Sequence, residues 1–400
     1  MTRIALFFLV FIAAVVVSAQ NRKFPEIRVR SVNALESKTL TDDFFGKYYF
    51  GKYIDSTTKW DAISRLDDKN HLGFFSNNEI KLEFPSEKKT SFVIAATHQS
   101  ILGVEFTKDL FQLVFTGNNS LVGQHVYTNP CTLNQYNFSG IMAGVSYKIT
   151  DNFSAYAYAG PVLTYNSTQL DFSGSSFFTS QAADSLALYL NGSYKRSGGP
   201  AYIKGIGFSI EAGAEGDFGG YKWRISASNL GRTWMNHRSI SSQRDTLMYF
   251  TGIEVSDLSG FSAVINQELD KFEEGFSLKG DTGNSVVSLP LLLTAECRKA
   301  SGKLRTDLLV LYYNLPGFFP YIQLTPSWPL TTALRVSFPI KYGGYGSINA
   351  GPGIEFVVAD RITAGLEIPS LLSVLNITDN LSYNITGKLI FKITDHASLL

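Results

Sequence analysis

Residues 202–215 alternate between apolar and polar so regularly that they restrict this part of the chain to a strand with two unlike faces. The even positions are Tyr202, Lys204, Ile206, Phe208, Ile210, Ala212 and Ala214; the odd ones are Ile203, Gly205, Gly207, Ser209, Glu211, Gly213 and Glu215. A glycine-rich turn over 215–220 leads into a second run. There Tyr221, Trp223, Ile225 and Ala227 share one face, and Lys222, Arg224, Ser226 and Ser228 the other. Side chains of a strand point alternately to opposite faces, so the pair predicts a hairpin with one apolar face and one polar, glycine-bearing face.

The pattern recurs. Ile141, Ala143, Val145, Tyr147 and Ile149 oppose Met142, Gly144, Ser146 and Lys148; Ile80, Leu82 and Phe84 oppose Glu79, Lys81 and Glu83. Ile348, Ala350, Pro352, Ile354 and Phe356 oppose Asn349, Gly351, Gly353 and Glu355, and Ile385, Leu389, Phe391 and Ile393 oppose Thr386, Lys388, Lys392 and Thr394. Further strands are expected near 24–33, 90–98, 153–165, 183–194, 286–298, 303–313, 319–326, 331–339 and 361–368. A soluble sandwich also alternates, but with strands of about 5–6 residues. Many runs here reach the roughly 9–11 residues that a tilted strand needs to cross a bilayer. Several carry Trp or Tyr near their ends, as interfacial girdles do. The expected fold is therefore all-β: a transmembrane antiparallel β-barrel of roughly 14 strands, its apolar face toward lipid.

Composition agrees. Aromatic residues make up 14% of the chain and charged residues 17%, below the roughly 25% usual for soluble domains. The formal net charge is +1, which gives no basic excess to attract nucleic acid. The N-terminus supplies an address: Arg3, an unbroken apolar run from Ile4 to Val17, then Ser18, Ala19 and Gln20. That is the layout of a secretory signal cleaved between Ala19 and Gln20, and the run is too short for a spanning helix, which takes about 20 residues. The expected organisation is a signal over 1–19, an N-terminal strand and plug-like segment over 20–75, and the rest of a single barrel over 76–400. The expected location is the cell outer membrane, with its lipid as partner.

Three stretches read as helical. In 35–75, Trp60, Ile63 and Leu66 fall on one helical face. A second helix starts at a Thr107 cap, carries Leu110, Leu113 and Val114, and stops at Gly117; a third spans 262–275. Residues 166–182 read as a long loop. Cys131 and Cys297 belong to no ligand cluster and are expected as unpaired thiols.

Four spaced motifs, Thr116 to Gly123 (with Gly117 and Asn118), Gly207 to Ala214 (with Gly213), Ser228 to Trp234 (with Gly231) and Ile348 to Pro352, carry a family resemblance. In that order they resemble a Bacteroidetes outer-membrane β-barrel family catalogued only as a domain of unknown function, similar in architecture to FadL-type fatty-acid transporters. The resemblance spans nearly all of the mature chain and its motifs are mostly structural. Glu211 departs from the Asp of the pattern, and the chain closes on His396-Ala-Ser-Leu-Leu400 instead of an aromatic. The resemblance implies fold and location and leaves activity open.

No catalytic signature is present: the five histidines are scattered, with no metal-ligand spacing, no GxSxG elbow and no phosphate loop. No catalytic residue, metal or cofactor is assigned. The inward polar face is the more informative feature, with Glu79, Lys81, Glu83, Lys148, Glu211, Lys222, Arg224, Glu296, Arg305, Asp307, Glu355, Lys388 and Lys392 expected to line the lumen. Mixed signs favour a self-satisfied ion-pair lattice over an open pore, because unpaired buried charge is costly. The expected role is passive transport or binding of a small hydrophobic molecule. The competing role is a non-transport barrel docking an envelope or secretion protein, and a barrel lipid hydrolase ranks last. Intact-mass measurement on protein recovered from membranes is expected to match a chain beginning at Gln20. A mass that retains 1–19 rules out the signal.

Overall fold

The computed structural model describes residues 25–84, 89–251, 280–358, 361–375, 377 and 380–392. The signal, the 262–275 helix and His396 lie outside them. The wall runs as a meander. β1 (Glu26–Glu36) pairs with β2 (Lys69–Phe84), and β2 with β3 (Thr90–Thr107). Past the short β4 (His125–Tyr127), β5 (Cys131–Thr150) pairs with β3 and β6 (Phe153–Asp171) with β5. β7 (Ser176–Thr179) and β8 (Leu186–Arg196) rise above the wall; β9 (Gly205–Phe218) and β10 (Tyr221–Met235) rejoin it, and β11 (Ser239–Phe250) rises beside β8. After β12 (Asp281–Gly283) and β13 (Val286–Ser288) come β14 (Leu292–Ser301), β15 (Leu304–Tyr313) and β16 (Phe319–Pro329). Next are β17 (Leu334–Ser337) with β18 (Ile340–Gly344), then β19 (Asn349–Ala350) with β20 (Gly353–Val358), each couple filling one wall position. β21 (Ile362–Glu367) and β22 (Ser382–Lys392) complete the wall.

β22 then pairs antiparallel with β1, from Glu36 opposite Ser382 to Glu26 opposite Lys392, which closes a ring of about 14 positions. Short turns gather at one end, such as the one between Phe218 and Tyr221, where Gly219 and Gly220 take φ of +59° and +79° that a two-residue hairpin turn needs. Long connections gather at the other, the outer end. Exposure follows the alternation: Ile206, Phe208 and Ile210 are 54%, 40% and 37% exposed, whereas Ser209 and Glu211 are 3% and 9%. A closed ring with an apolar exterior and short turns at one end is a transmembrane β-barrel of the outer-membrane kind.

Several strands outrun their alternation. β2, β3 and β5 extend well beyond 79–84, 90–98 and 141–149, β6 enters the expected loop at 166–171, and β11 was not expected. Both faces of these extensions carry polar residues, so the strands have no hydrophobic period to betray them. β9 begins at Gly205; Tyr202 and Ile203 precede it and are both exposed.

The helical segments are α1 (Asp42–Tyr49), α2 (Ser56–Arg65), α3 (Lys108–Thr116) and α4 (Leu371–Val374). Thr41, Asp55 and Thr107 cap the first three by accepting backbone N–H bonds, and Gly117 ends α3 at φ +81°. Bonds from Thr58, with Lys47 nearby, hold the Asp55 carboxyl down at about 2. Within the 35–75 segment, Glu36 and Phe75 face the lumen, while the helices lie elsewhere. Leu40, Phe44, Ala62, Ile63, Leu66 and Phe111 form a separate cluster against Leu72 and Phe106. The latter two alternate with lumen-facing Gly73 and Glu105, so the helices lean on the outside of the wall. Trp60 and Val114 are exposed and Phe111 is the buried residue of α3, because Phe44, Phe106 and Phe115 surround it.

The outer half of the lumen is packed. Phe75, Ile101, Phe138, Val162, Tyr313, Phe318 and Tyr345 belong to one buried cluster. Beside it Lys341 Nζ meets Glu36 Oε1, with Ser382 Oγ 3.0 Å from Nζ, and both charges are fully buried. Phe208→Arg is expected to impair assembly, since a lipid-facing Arg costs from about 1 kcal/mol near the interface to about 2–4 kcal/mol at mid-membrane, whereas Ser209→Ala is tolerated; heat-modifiable gel migration reads both. Lys341→Met strands a buried carboxylate and is expected to destabilise the barrel by about 3–5 kcal/mol, while the double exchange of Glu36 and Lys341 for Met recovers most of the loss in denaturant titrations.

Candidate functional site

Side-chain struts cross the lumen among the described residues. Arg30 Nη1 on β1 donates to Glu296 Oε1 on β14 at 2.9 Å. These strands stand on opposite sides of the ring, whose backbone would be roughly 25–30 Å across if circular. Two side chains span about half of that, so the section is flattened here. Another strut joins β3 to β10: Asn229 Nδ2 donates to Gln99 Oε1 at 3.0 Å and Gln99 Nε2 to Asn229 Oδ1 at 3.2 Å. The β9–β10 register slips between Ala227 and Leu230, and Asn229 there takes φ +63°, a left-handed conformation that Asn tolerates better than most residues.

Toward the turn end the lumen is ionic. Arg224 Nε donates to Tyr156 Oη at 2.9 Å, with Glu211 at 3.8 Å and Glu215 at 4.0 Å from its guanidinium. Lys81 Nζ donates to Tyr158 Oη at 3.1 Å and lies 4.7 Å from that ring's centre. Glu355 is the acidic hub, 2.9 Å from Arg305, 3.6 Å from Lys388 and 3.9 Å from Arg335, while Asp307 bridges Arg305 and Arg298. Opposite charges are thus neighbours, and several of these side chains keep partial exposure, so water reaches the lattice from this end.

Of the residues singled out in the sequence, Glu79, Lys81 and Glu83 occupy successive lumen positions of β2, and Glu211, Arg224, Glu296, Glu355 and Lys388 join the clusters above. Lys148 and Lys222 share the inward face but sit exposed at the turn end, Lys148 3.4 Å from Asp151, outside the lattice. Sequence reasoning missed Arg30, Tyr156, Tyr158, Arg335, Glu36 and Lys341. Arg28 and Arg30 were legible, since they alternate with Ile27 and Val29; the tyrosines were hidden because Tyr counts as apolar. Ser209 faces the lumen, and His98 faces outward, its Nδ1 2.9 Å from Ser139 Oγ. Cys131 and Cys297 are both free. Among the described residues no group of three or more His, Cys, Asp or Glu could hold a metal ion.

The motif residues hold backbone. Gly117 and Gly123 take positive φ in the loop after α3, and Asn118 Nδ2 donates to Thr179 Oγ1 at 3.2 Å. Gly207, Gly213 and Gly231 lie in β9 and β10; a Cβ at Gly213 would fall 2.5 Å from the Tyr156 ring. Trp234 is exposed on the outer face, 5.9 Å from Phe208.

The wall is interrupted at one place. Above Glu367, β22 has no strand partner on the β21 side. Instead Ser370 Oγ accepts from the Asn384 N–H at 2.6 Å and donates to its carbonyl at 3.3 Å, standing in for a ladder. Pro339, Pro352 and Pro369, which lack N–H donors, border this notch where β17–β18, β19–β20 and β21 break. α4 fills it. Inside, Ser373 Oγ bonds Asn349 Nδ2 at 2.5 Å and Asn380 Oδ1 at 3.1 Å; outside, Val374, Leu375 and Ile377 are exposed beside Tyr342, Ile348 and Tyr383.

No family model matches the chain, and no curated protein matches it. Among solved structures it is similar to a deltaS2S3 mutant of the TodX monoaromatic hydrocarbon channel, with TM-score 0.44, 9% identity and coverage of 94% of this chain and 92% of that one. A FadL homologue of Pseudomonas aeruginosa gives 0.41 at 9% identity, covering 94% and 91%. The translocator domain of autotransporter NalP from Neisseria meningitidis gives 0.34 at 8% identity, covering 98% and 96%. The barrel itself rests on the ladder between β22 and β1.

Proposed function

We propose that this exported barrel, FadL-like in architecture and akin to the Bacteroidetes family its motifs resemble, binds or passively passes a small hydrophobic molecule across the outer membrane. The observation that carries this reading is the notch. A wall made of strands is held shut by the backbone ladder, whereas here a single helical turn with an apolar outer side and a few side-chain hydrogen bonds does the work. The aromatic cluster in the adjoining lumen, with Phe318, Tyr321 and Tyr345, offers apolar surface behind it.

A second reading, docking of an envelope or secretion partner, draws support from the raised wall. β8 and β11 continue β9 and β10 beyond the ring, from Arg196 opposite Ile240 to Leu186 opposite Phe250. Eleven residues of strand extend roughly 35 Å, and Leu247 and Tyr249 are exposed on it. A disulfide staple separates the two. In a chain with Cys131 and Cys297 replaced by Ser, Asn349→Cys with Ser373→Cys pins α4. Oxidation is expected to slow entry of a lipophilic dye into proteoliposomes at least tenfold, with recovery on reduction. Equal rates in both states would remove the notch from transport and leave the docking reading.

A further inference from the structure

The outside of the wall carries a polar strip between apolar rows on β1, β2, β3 and β5. Across β1, β2, β3 and β5, Ser31, Asn78, His98 and Ser139 stand side by side in one row, and Asn33, Ser76, Ser100 and Asn137 in the next. Their orientation follows from the alternation, since Ala34, Phe75, Gln99 and Phe138, each adjacent in sequence to a member of the strip, are buried in the lumen. Toward the turn end the rows give way to Val29, Ile80, Ala96 and Ile141; toward the outer end, to Leu35, Phe74 and Leu102 on β1, β2 and β3, while β5 stays polar at Gln135, which accepts from Asn166 Nδ2 at 3.4 Å. On the neighbouring β22, Gly387 and Ile385 lie level with Ser31 and Asn33, one step below exposed Tyr383. The strip thus sits just under the outer interfacial ring.

Four of its members close a circuit. Ser31 Oγ donates to Asn78 Oδ1 at 2.7 Å, Asn78 Nδ2 to Ser76 Oγ at 3.1 Å, Ser76 Oγ to Asn33 Oδ1 at 2.6 Å and Asn33 Nδ2 to Ser31 Oγ at 3.0 Å. His98 and Ser139 form the pair described above, and Asn137 Oδ1 is buried without a hydrogen-bond partner. Polar groups facing lipid are costly unless satisfied, and the circuit lets the strip exist while leaving donors and acceptors for a ligand.

We infer that the strip binds an outer-leaflet lipid whose acyl chains are joined through amide groups bearing nearby hydroxyls. Three observations select that occupant. The strip contains no Lys, Arg, Asp or Glu, so it is not built for a phosphate. Three strand spacings by one two-residue step make a patch of roughly 14 by 7 Å, close to a lipid linkage region and far below the roughly 800 Å² per partner of a stable protein interface. Its depth matches that of acyl linkages, with the apolar rows toward the turn end placed to take the chains. The hydroxyls and amides of the wall pair with amide N–H, amide C=O and hydroxyl groups, which a simple ester linkage supplies only in part.

The inference goes beyond the transport reading and does not depend on the notch. Vesicles of phosphatidylethanolamine containing either ceramide, which has an amide and hydroxyls but no charge, or diacylglycerol, which has esters, provide the probes. After mild-detergent extraction, native mass spectrometry is expected to find ceramide retained on the barrel at least tenfold more than diacylglycerol. The triple variant Asn33→Val, Asn78→Val, His98→Leu, shown to be folded by heat-modifiable migration, is expected to lose that preference. Should it not fold, His98→Leu alone is read in the same assay, with at least a threefold loss expected. Equal retention of the two lipids, or a preference unchanged in the folded variant, overturns the inference. So does a wild-type dimer that the variant converts to monomer, which would assign the strip to a second copy of the chain.

Discussion

Backbone groups in hydrocarbon find no water, so each N–H and C=O in the membrane must be satisfied within the protein. The ladder between β22 and β1 meets that requirement by removing the two free edges of the meander at once. The rest of the architecture follows from it. A closed ring fixes an inside and an outside, and the two-residue period of each strand sorts side chains between them. The same residues that make the exterior compatible with lipid therefore force Glu, Arg and Lys into a common interior, where they must find one another.

They do so in two layers with different physics. The outer half of the lumen is packed with aromatic and aliphatic groups around the buried Glu36–Lys341 pair. The other half is a hydrated lattice in which Arg224, Glu355 and Asp307 each touch more than one partner. Struts between far walls convert the ring from a pipe into a braced section. Selectivity for ions of one sign is not what such a lumen provides, because every basic cluster has an acidic neighbour.

The parts of the fold legible in the sequence are those where one face must be apolar. The β9–β10 hairpin, the sides of the strand at 141–149 and the caps of α3 at Thr107 and Gly117 could all be read, because each depends on neighbours in the chain. The upper parts of β2, β3 and β5 could not, since Ser76, Asn78, His98, Ser100, Asn137 and Ser139 put polar groups outside as well. The side of α3 that is buried depended on Phe44 and Phe106, far away in sequence. The lumen clusters were half visible: register names the inward charges, but which of them touch is set by the flattening of the ring, as with Arg30 and Glu296. The notch was invisible, because three prolines announce breaks in three strands without revealing that those breaks lie side by side.

The notch also changes where the ring is weakest. β1 is held to β22 along its full length of 11 residues, whereas β21, the other neighbour of β22, is 6 residues long. The seam that joins the two termini of the described barrel is thus longer than a joint between strands adjacent in sequence. Under load or in a partly denatured state, the wall has reason to unzip between β21 and β22 first, with β22 staying on β1. The first and last strands then behave as one long hairpin whose connection happens to be the whole of the rest of the protein.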